Sequence, residues 1–286
     1  MSTTANENIR QSVRENYGYI ARTERAPLGN TTTPSCCGDS PAPDPSAKAC
    51  GCGGGHVRAE QMSALIGYSQ EEQEGVPEGA NLGLGCGNPQ TIAALQPGET
   101  VVDLGSGGGF DCFLTARQVG SDGRVIGVDM TPDMISRARL NAAKIQADNV
   151  KFRLGEIEHL PVADEQADLI MSNCVINLSP EKQKVYHEAF RVLKSNGRLA
   201  ISDIVALRPL PDEIKSDLEM VSACIGGAAT VADIENMLKR AGFEHIRVTP
   251  TRVSQEIVDE WLPGSNVGEY VAPASIEARK PAATFT

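Results

Sequence analysis

The sequence predicts an α/β fold built on a doubly wound, mostly parallel β-sheet whose last strand runs antiparallel. Short β-branched runs alternate with amphipathic helical segments between residues 100 and 205, which is the pattern of a parallel sheet with helical crossovers. One run leads directly into a turn with four glycines in five positions, at 105–109. We expect an N-terminal helix with a Cys-, Gly- and Pro-rich arm at 1–75, the core at 76–206, and a small C-terminal α/β region at 207–286.

Composition and charge indicate an ordinary soluble globular protein. The 286 residues are 41% hydrophobic and 22% charged, and a chain of this length can bury a sizeable core. A formal net charge of −11 leaves no basic surplus for phosphates, which argues against binding to nucleic acid or to an anionic membrane. The sequence shows neither a membrane-length apolar run nor a basic and apolar leader. We therefore expect a cytoplasmic protein, and a monomer.

The N-terminal region combines a helical pattern with a segment that has no periodicity. Residues 8–25 carry Ile9, Val13, Tyr17 and Ile20 on one stripe, which predicts a helix docked on the core; a solvated arm is the alternative. Residues 26–55 are rich in Pro, Gly, Thr and Ser and predict a mobile linker. This linker holds four of the eight cysteines, which are Cys36, Cys37, Cys50 and Cys52.

The other elements follow from periodicity, helix caps and turn residues. One predicted helix begins with Thr131 as its N-cap and Pro132 at its first position. Another begins with Thr230 as its N-cap and ends at Gly242. A glycine-dense loop at 77–89 is expected beside the active site. Strands are predicted at 100–104, 124–129, 150–154, 167–172 and 198–205, with a closing antiparallel pair at 245–253 and 275–280. Helices are predicted at 57–68, 110–117, 132–146, 182–193, 212–224 and 231–241, with a turn at 195–197.

The glycine turn distinguishes between two kinds of cofactor site. Gly105, Gly107 and Gly109 read G-x-G-x-G, but position 110, where a dinucleotide site needs a third small residue, is Phe. Asp103 lies two residues before the first glycine. This acidic, glycine-rich pattern resembles motif I of the class I S-adenosylmethionine-dependent methyltransferases. The resemblance implies a Rossmann-like fold that binds S-adenosylmethionine, whose ammonium and ribose hydroxyls favour acids.

Further cofactor contacts are expected where the next strands end. Asp129 ends the second strand, 24 residues after Gly105, where an acid can accept hydrogen bonds from both ribose hydroxyls. The alternative for Asp129 is a helix cap or a solvated acid. Glu156 follows the third strand, where methyltransferases of this class hold the adenine ring. The complete predicted set is Asp103, Gly105, Ser106, Gly107, Gly109, Asp129, Met130, Glu156, Ile157 and Asn173.

Three cysteines stand at loop or strand ends around the same predicted crevice. Cys174 follows Asn173 at the end of the fourth strand, Cys86 lies between two glycines, and Cys224 precedes a glycine pair. Oxygen, nitrogen and carbon acceptors usually need a general base, whereas thiolates bind soft electrophilic atoms. Taken singly, each cysteine is more often a small buried hydrophobic residue. Together they indicate a soft ligand, and Cys112 is interpreted as part of the core.

Five segments containing these residues resemble the arsenite S-adenosylmethionine methyltransferases: residues 81–89, 103–112, 128–131, 172–178 (Ser-Asn-Cys-Val-Ile-Asn-Leu) and 224–228. The resemblance implies that Cys86, Cys174 and Cys224 bind As(III), with Cys174 and Cys224 as the core pair. It also implies a fourth, N-terminal cysteine. Cys50 and Cys52 are the favoured candidates for this fourth cysteine because of their distance from Cys86, and Cys36 and Cys37 are the alternatives. Thioredoxin or glutathione is the implied reductant, and arsenic detoxification is the implied role.

The chemistry of thiol-bound arsenic is consistent with this interpretation. Three thiolates leave the arsenic lone pair exposed, so a methyl group in line with it can be transferred without proton abstraction. The pentavalent product needs two electrons, which thiols supply by forming a disulfide.

Two rival functions are a carbon or oxygen methyltransferase for a small acceptor such as a quinone, and a protein that only sequesters arsenic or a soft metal. A zinc site formed by His56 and the linker cysteines is a further alternative.

Overall fold

The computed structural model describes residues 3–23, 59–251 and 266–283. The predicted linker, its four cysteines and His56 lie outside the described residues. Ten α-helices are seen in the described part: α1 Thr3–Thr23, α2 Ala59–Leu65, α3 Gln70–Glu74, α4 Gln90–Ala93, α5 Phe110–Val119, α6 Pro132–Lys144, α7 Lys182–Val192, α8 Asp212–Ser216, α9 Leu218–Ser222 and α10 Val231–Ala241. The strands there are β1 Thr100–Leu104, β2 Arg124–Asp129, β3 Val150–Leu154, β4 Ala167–Asn173, β5 Leu193–Ala206, β6 Glu244–Pro250 and β7 Val271–Arg279.

The strands form one sheet in the order β3-β2-β1-β4-β5-β7-β6. The first five strands pair in parallel, and β7 pairs antiparallel with both β5 and β6. The predicted doubly wound sheet with an antiparallel last strand is confirmed. Because β1 lies between β2 and β4, the carboxyl ends of these three strands meet at one edge of the sheet, where such folds bind ligands.

Helices cover both faces of the sheet, and β1 shows how its side chains divide between them. Val101 packs in a core cluster with Phe113 and Ile135 from α5 and α6. Val102 belongs to a second cluster, which contains Tyr186 of α7 and Leu238 of α10. Alternate residues of a strand point to opposite faces, so β1 is buried on both sides, as is usual for a strand inside a parallel sheet.

Helix α1 packs against the core, as its apolar stripe predicts, rather than projecting as a solvated arm. It contacts α6 and α9, and Val13 and Ile20 are each 2% exposed. Its polar face adds ion pairs. Arg10 lies 2.7 Å from Glu181 and 3.3 Å from Glu158.

Two local predictions in the second half of the chain are wrong. The expected helix at 212–224 is two short helices, α8 and α9, because Asp217 adopts an extended conformation (ψ 114°) between them. The expected turn at 195–197 lies inside β5. Asn196 has a φ of +64° there, and the register to β4 shifts between Leu193 and Arg198. The turn residues therefore form a bulge rather than a chain reversal.

None of the helices in the described ranges is both long and apolar enough to cross a membrane.

Candidate active site

The glycine turn joins β1 to α5 at the edge where the strands end. The backbone N–H groups of Gly105 and Ser106 donate to the carbonyl of Val128, at 2.7 and 3.0 Å, which ties the turn to β2. Gly109 starts α5 with a φ of +94°, and a Cβ at this position would lie 2.7 Å from the Phe113 ring. Glycine is therefore required at position 109 for both conformation and space.

The turn carries one buried polar atom that has no partner. Ser106 is 7% exposed, and its Oγ makes no hydrogen bond in the described structure. Buried hydroxyls are normally hydrogen-bonded, so this atom fits a bound polar ligand. Beside it, Asp129 accepts hydrogen bonds from the backbone of Gly107 (3.0 Å) and Thr131 (2.8 Å), and burial raises its pKa. Ser106, Asp129 and the open turn are a donor and acceptor set that fits S-adenosylmethionine.

Asp103 lies beneath the turn and is almost completely buried, at 3% exposed. The thiol of Cys112, which is buried as predicted, donates a hydrogen bond to Asp103 Oδ2 at 3.1 Å. Burial and the nearby Asp111 carboxylate raise the pKa of Asp103. The described contacts of Asp103 therefore lie within the protein, and its predicted contact to the cofactor stays a prediction.

The acids after β3 are paired with helix α1. Glu156 Oε1 accepts a hydrogen bond from Arg14 at 2.6 Å. Glu158, which is 4% exposed, accepts hydrogen bonds from Arg10 and from Ser179 at 3.3 and 2.6 Å. Helix α1 thus lies over the part of the site where Glu156 and Ile157 are predicted to meet the cofactor.

Asn173 holds the Gly-Cys-Gly loop that carries Cys86. Its Oδ1 accepts from the backbone N–H of Cys86 at 3.2 Å, and its Nδ2 donates to the carbonyl of Gly87 at 2.8 Å. The same Nδ2 donates to the Tyr68 hydroxyl at 3.0 Å and to Asp111 at 3.3 Å. Sequence reasoning identified Asn173 for the cofactor and overlooked Tyr68 and Asp111, because their proximity depends on how the segment between α2 and α3 packs on α5.

The three predicted core cysteines converge, although they come from separate segments. The sulfurs of Cys86 and Cys174 and one carboxylate oxygen of Asp203 all lie within 4.8 Å of one another. The Cys224 thiol donates to the carbonyl oxygen of Cys174 at 2.7 Å. The crevice therefore brings together thiols from the 77–89 loop, from the end of β4 and from the segment after α9.

Two of these cysteines have an unusual backbone conformation. Cys174 and Cys224 adopt positive φ values of +58° and +63°, which cost a residue with a side chain about 1 to 3 kcal/mol each. The Cys174 N–H donates to the Ser202 carbonyl at 2.8 Å, and the N–H groups that follow Cys224 donate to the Met220 carbonyl. These bonds hold the strained conformation, a feature that is typical of functional sites.

Burial and the hydrogen bonds among the three thiols raise their pKa values. Burial raises the pKa of Cys86 to about 11. A hydrogen bond with Cys224 lowers the pKa of Cys174, but the hydrogen bond with Cys86 and burial outweigh it and leave that pKa well above its ordinary value. The hydrogen bond with Cys174, together with burial, raises the pKa of Cys224. A soft ligand that binds these sulfurs must therefore displace the thiol protons.

Helix α1 connects the thiol cluster with the cofactor edge. Tyr17 and Met130 pack in one apolar cluster with Cys224 and Cys174, and the Tyr17 hydroxyl donates to the carbonyl of Ser222 at 3.2 Å. Sequence reasoning assigned Tyr17 only to the docking stripe. It also overlooked Asp203, although an acid near the end of a strand was a usable signal.

The doubly wound sheet, the glycine turn after β1 and the acid after β2 define an S-adenosylmethionine-dependent methyltransferase fold, and a family model described as a methyltransferase domain matches residues 95–242. The chain belongs to the arsenite methyltransferase family. It is 50% identical over 276 residues to the arsenite methyltransferase of Halobacterium salinarum, covering 96% of this chain and 68% of that protein. The resemblance inferred from the sequence motifs is confirmed.

Two more distant relatives agree. The human arsenite methyltransferase is 40% identical over 152 residues, which are 50% of this chain and 40% of the human protein. The crystal structure of an arsenic(III) S-adenosylmethionine methyltransferase from Chlamydomonas reinhardtii matches with a TM-score of 0.57 and 33% identity, covering 77% of this chain and 72% of that one. The chain thus spans about two thirds of the halobacterial relative and less than half of the human one.

Proposed function

We propose that this protein methylates trivalent arsenic, as arsenite or methylarsenite, with S-adenosylmethionine as the methyl donor. The observation that carries the proposal is the convergence of the Cys86, Cys174 and Cys224 thiols beside the glycine turn of a methyltransferase fold. Soft thiol ligands suit As(III) and have no evident use for a carbon or oxygen acceptor. Family membership supports the same substrate, and detoxification of arsenic follows as the biological role.

The residues of the turn would hold the cofactor. Ser106 offers its unpaired hydroxyl, and Asp129 offers a buried carboxylate for ribose hydroxyls. Met130, Glu156, Ile157 and Asn173 complete the proposed edge, together with Asp103, Gly105, Gly107 and Gly109. When it is bound, S-adenosylmethionine supplies an electrophilic methyl group.

The thiols of the site bind and orient the arsenic. A thiol proton can leave together with a hydroxide of arsenic as water, so binding needs no separate base. Helix α1, through Tyr17, covers Cys224 and limits the access of water. Once arsenic is fixed, the remaining contribution of the protein is positioning, which can lower a barrier by several kcal/mol.

A reductant is also part of the proposal. Methylation at the arsenic lone pair raises arsenic formally from trivalent to pentavalent, and its return requires two electrons. Two thiols provide these electrons when they form a disulfide. We assign this role to Cys50 or Cys52 together with the core cysteines, and thioredoxin or glutathione would reduce the resulting disulfide.

The test is an incubation of the protein with methyl-labelled S-adenosylmethionine, arsenite and glutathione, followed by chromatography of the arsenic species. We expect labelled methylarsenicals, and we expect Cys174→Ser to abolish them while the affinity for S-adenosylmethionine persists. The matched control is Cys112→Ser, in which a hydroxyl replaces a buried thiol outside the cluster. It should bind as much arsenite as the wild type.

Other outcomes point elsewhere. Stoichiometric arsenite binding without any labelled product would mean a sequestering protein. Labelling of an organic acceptor such as a quinone, with arsenite untouched, would mean a carbon or oxygen methyltransferase. Unchanged arsenic turnover in Cys174→Ser would contradict the assignment of the thiols.

A further inference from the structure

One carboxylate lies beside the thiol cluster, although its charge disfavours thiolates. Asp203 of β5 is 2% exposed, and one of its oxygens lies within 4.8 Å of the sulfurs of both Cys86 and Cys174. Carboxylates are rarely buried to this extent without partners. Beside burial and the hydrogen bonds among the thiols, the negative charge of Asp203 also raises the pKa values of the three core cysteines. The benefit of this residue to the site must therefore lie in something other than its charge.

The hydrogen bonds that Asp203 accepts fill its acceptor positions. Its Oδ1 accepts from the Asn177 side chain at 2.9 Å and from the backbone N–H of Ile204 at 2.8 Å. Its Oδ2 accepts from the backbone N–H of Ile176 at 3.0 Å, and the backbone N–H of Asn177 donates to the same carboxylate. A carboxylate offers about four acceptor positions, so these donors leave none for a ligand. Asp203 therefore acts on the protein rather than on the arsenic.

Most of these donors belong to the segment that follows Cys174. Ile176 and Asn177 supply all of them except the N–H of Ile204, and they begin a short 3-10 helix, Ile176–Leu178. The first N–H groups of a helix have no partner within it, and bonds to a charged acceptor are about twice as strong as neutral ones. Because this short helix begins two residues after Cys174, Asp203 fixes the direction of the chain after that cysteine.

Cys174 needs such an anchor because its backbone is strained. Its φ of +58° is unfavourable for a residue with a side chain. Its N–H donates to the Ser202 carbonyl at 2.8 Å, so β5 holds Cys174 through Ser202 and holds the segment after it through Asp203. The carbonyl of Cys174 accepts the Cys224 thiol at 2.7 Å. The orientation of this one residue therefore determines the position of two sulfurs.

The binding of arsenite depends on whether these sulfurs meet at one point. Each thiol that reacts with As(OH)3 loses its S–H bond, replaces one As–O bond with an As–S bond and releases one water, and arsenic stays trivalent. Thiols that are all in place give arsenic three sulfur ligands. If one sulfur is displaced, arsenic keeps one hydroxyl and has only two sulfur ligands.

We propose that Asp203 is a positioning residue, which holds Cys174 in its left-handed conformation so that the three core thiols bind one arsenic atom together. It acts through the short helix at Ile176–Leu178 and does not touch the arsenic. The inference rests on the proposed function, because it takes arsenic as the ligand of the thiols.

The experiment counts the sulfur ligands of bound arsenic in Asp203→Asn. The amide replaces an acceptor oxygen with a donor group, so bonds to the short helix are lost. The parent protein is the full chain with serine in place of the linker cysteines, Cys36, Cys37, Cys50 and Cys52, so that these thiols do not compete. One equivalent of arsenite is added with a phosphine reductant and without a methyl donor. X-ray absorption at the arsenic edge then gives the numbers of As–S and As–O bonds.

We expect three As–S bonds in the parent, and two As–S bonds with one As–O bond in Asp203→Asn. The Kd for arsenite, measured by equilibrium dialysis, should rise about 10- to 100-fold, the usual effect of losing a residue that orients a ligand. Glu158→Gln is the matched control. Glu158 is another buried acid, at 4% exposure, and it accepts from Arg10 and Ser179 instead of from the start of the short helix. Glu158→Gln should keep three As–S bonds and the Kd of the parent.

A structural role alone would not change the number of As–S bonds in the molecules that stay folded, and the affinity for S-adenosylmethionine reports on folding. Three As–S bonds and an unchanged Kd in folded Asp203→Asn would overturn the proposal. A parent protein with only two As–S bonds would also overturn it.

A second variant keeps the test decisive if Asp203→Asn does not retain its affinity for the cofactor. Asn177→Ala removes only the side-chain donor of that residue, and the average number of As–S bonds should then fall below three; an unchanged number would contradict the proposal. Loss of cofactor binding in both variants would assign Asp203 to stability and refute the proposal. Failure of the wild type to bind arsenite would instead refute the proposed function.

Discussion

Replacing Tyr68 by Phe removes one hydroxyl from the buried network behind Cys86 and leaves the ring on Phe110, 4.8 Å away. The hydroxyl donates to Asp111 Oδ1 at 2.6 Å and accepts from Asn173 at 3.0 Å. The bond to the carboxylate contributes about 1.5 to 3 kcal/mol and the bond to the amide about 1 kcal/mol. Asp111 keeps its bonds to Gln90 and Asn173, so we expect a net loss of about 2 to 3 kcal/mol.

Urea denaturation followed by circular dichroism at pH 7 measures this loss. Tyr19→Phe is the control, because Tyr19 is 45% exposed, and its free energy of unfolding should change by less than about 0.5 kcal/mol. The Tyr68→Phe variant should also bind arsenite more weakly, since the network positions the Cys86 loop. A loss below about 0.5 kcal/mol in Tyr68→Phe would refute the view that this hydroxyl stabilises the network.

Two further predictions concern helix α1 and the buried acid of β5. Arg10→Ala should lower the free energy of unfolding by about 3 kcal/mol and speed proteolysis of α1, because it leaves Glu158 buried without its cation. Arg22→Ala breaks an exposed ion pair with Asp133 and should change the free energy of unfolding by less than about 1 kcal/mol. Equal losses of stability in Arg10→Ala and Arg22→Ala would contradict the prediction. Burial raises the pKa of Asp203 to about 6 from 3.8, so the folded state binds this proton before the unfolded state as the pH falls. Stability relative to Asp203→Asn should therefore rise by about 2 kcal/mol from pH 6 to pH 4. Parallel curves of unfolding free energy against pH for the two proteins would contradict this.

Much of the fold could be predicted because its signals are local. The bounds of β1 and β2 follow from short apolar runs, and those of β3 from apolar residues that alternate with Lys and Arg. Each of these segments ends at a glycine or an acid. The start and end of α10 follow from Thr230, whose side chain accepts from the Asp233 N–H, and from Gly242 in a left-handed conformation. These strand ends and helix caps depend on residues within a few positions of one another, so they can be identified directly from the sequence.

The errors arose where distant segments override local preference. Ser195, Asn196 and Gly197 are ordinary turn residues, but the backbone of Lys280 donates to the Gly197 carbonyl at 2.8 Å and keeps this segment in β5. The helix expected at 212–224 stops at Asp217, and Cys224 takes a left-handed conformation against β4. No periodicity within either segment reports these long-range contacts.

The amino-acid sequence by itself determined the class of the protein. The glycine turn, the acids at strand ends and three glycine-flanked or strand-end cysteines are fixed by residue type and spacing, and they were sufficient to indicate a methyltransferase for a soft substrate. Only the tertiary structure decided which groups surround that substrate. Asp203 meets Cys86 and Cys174 because β5 lies beside β4, and Tyr17 meets Cys224 because α1 docks on α9. Such proximity depends on sheet order and helix packing, which no spacing along the chain encodes.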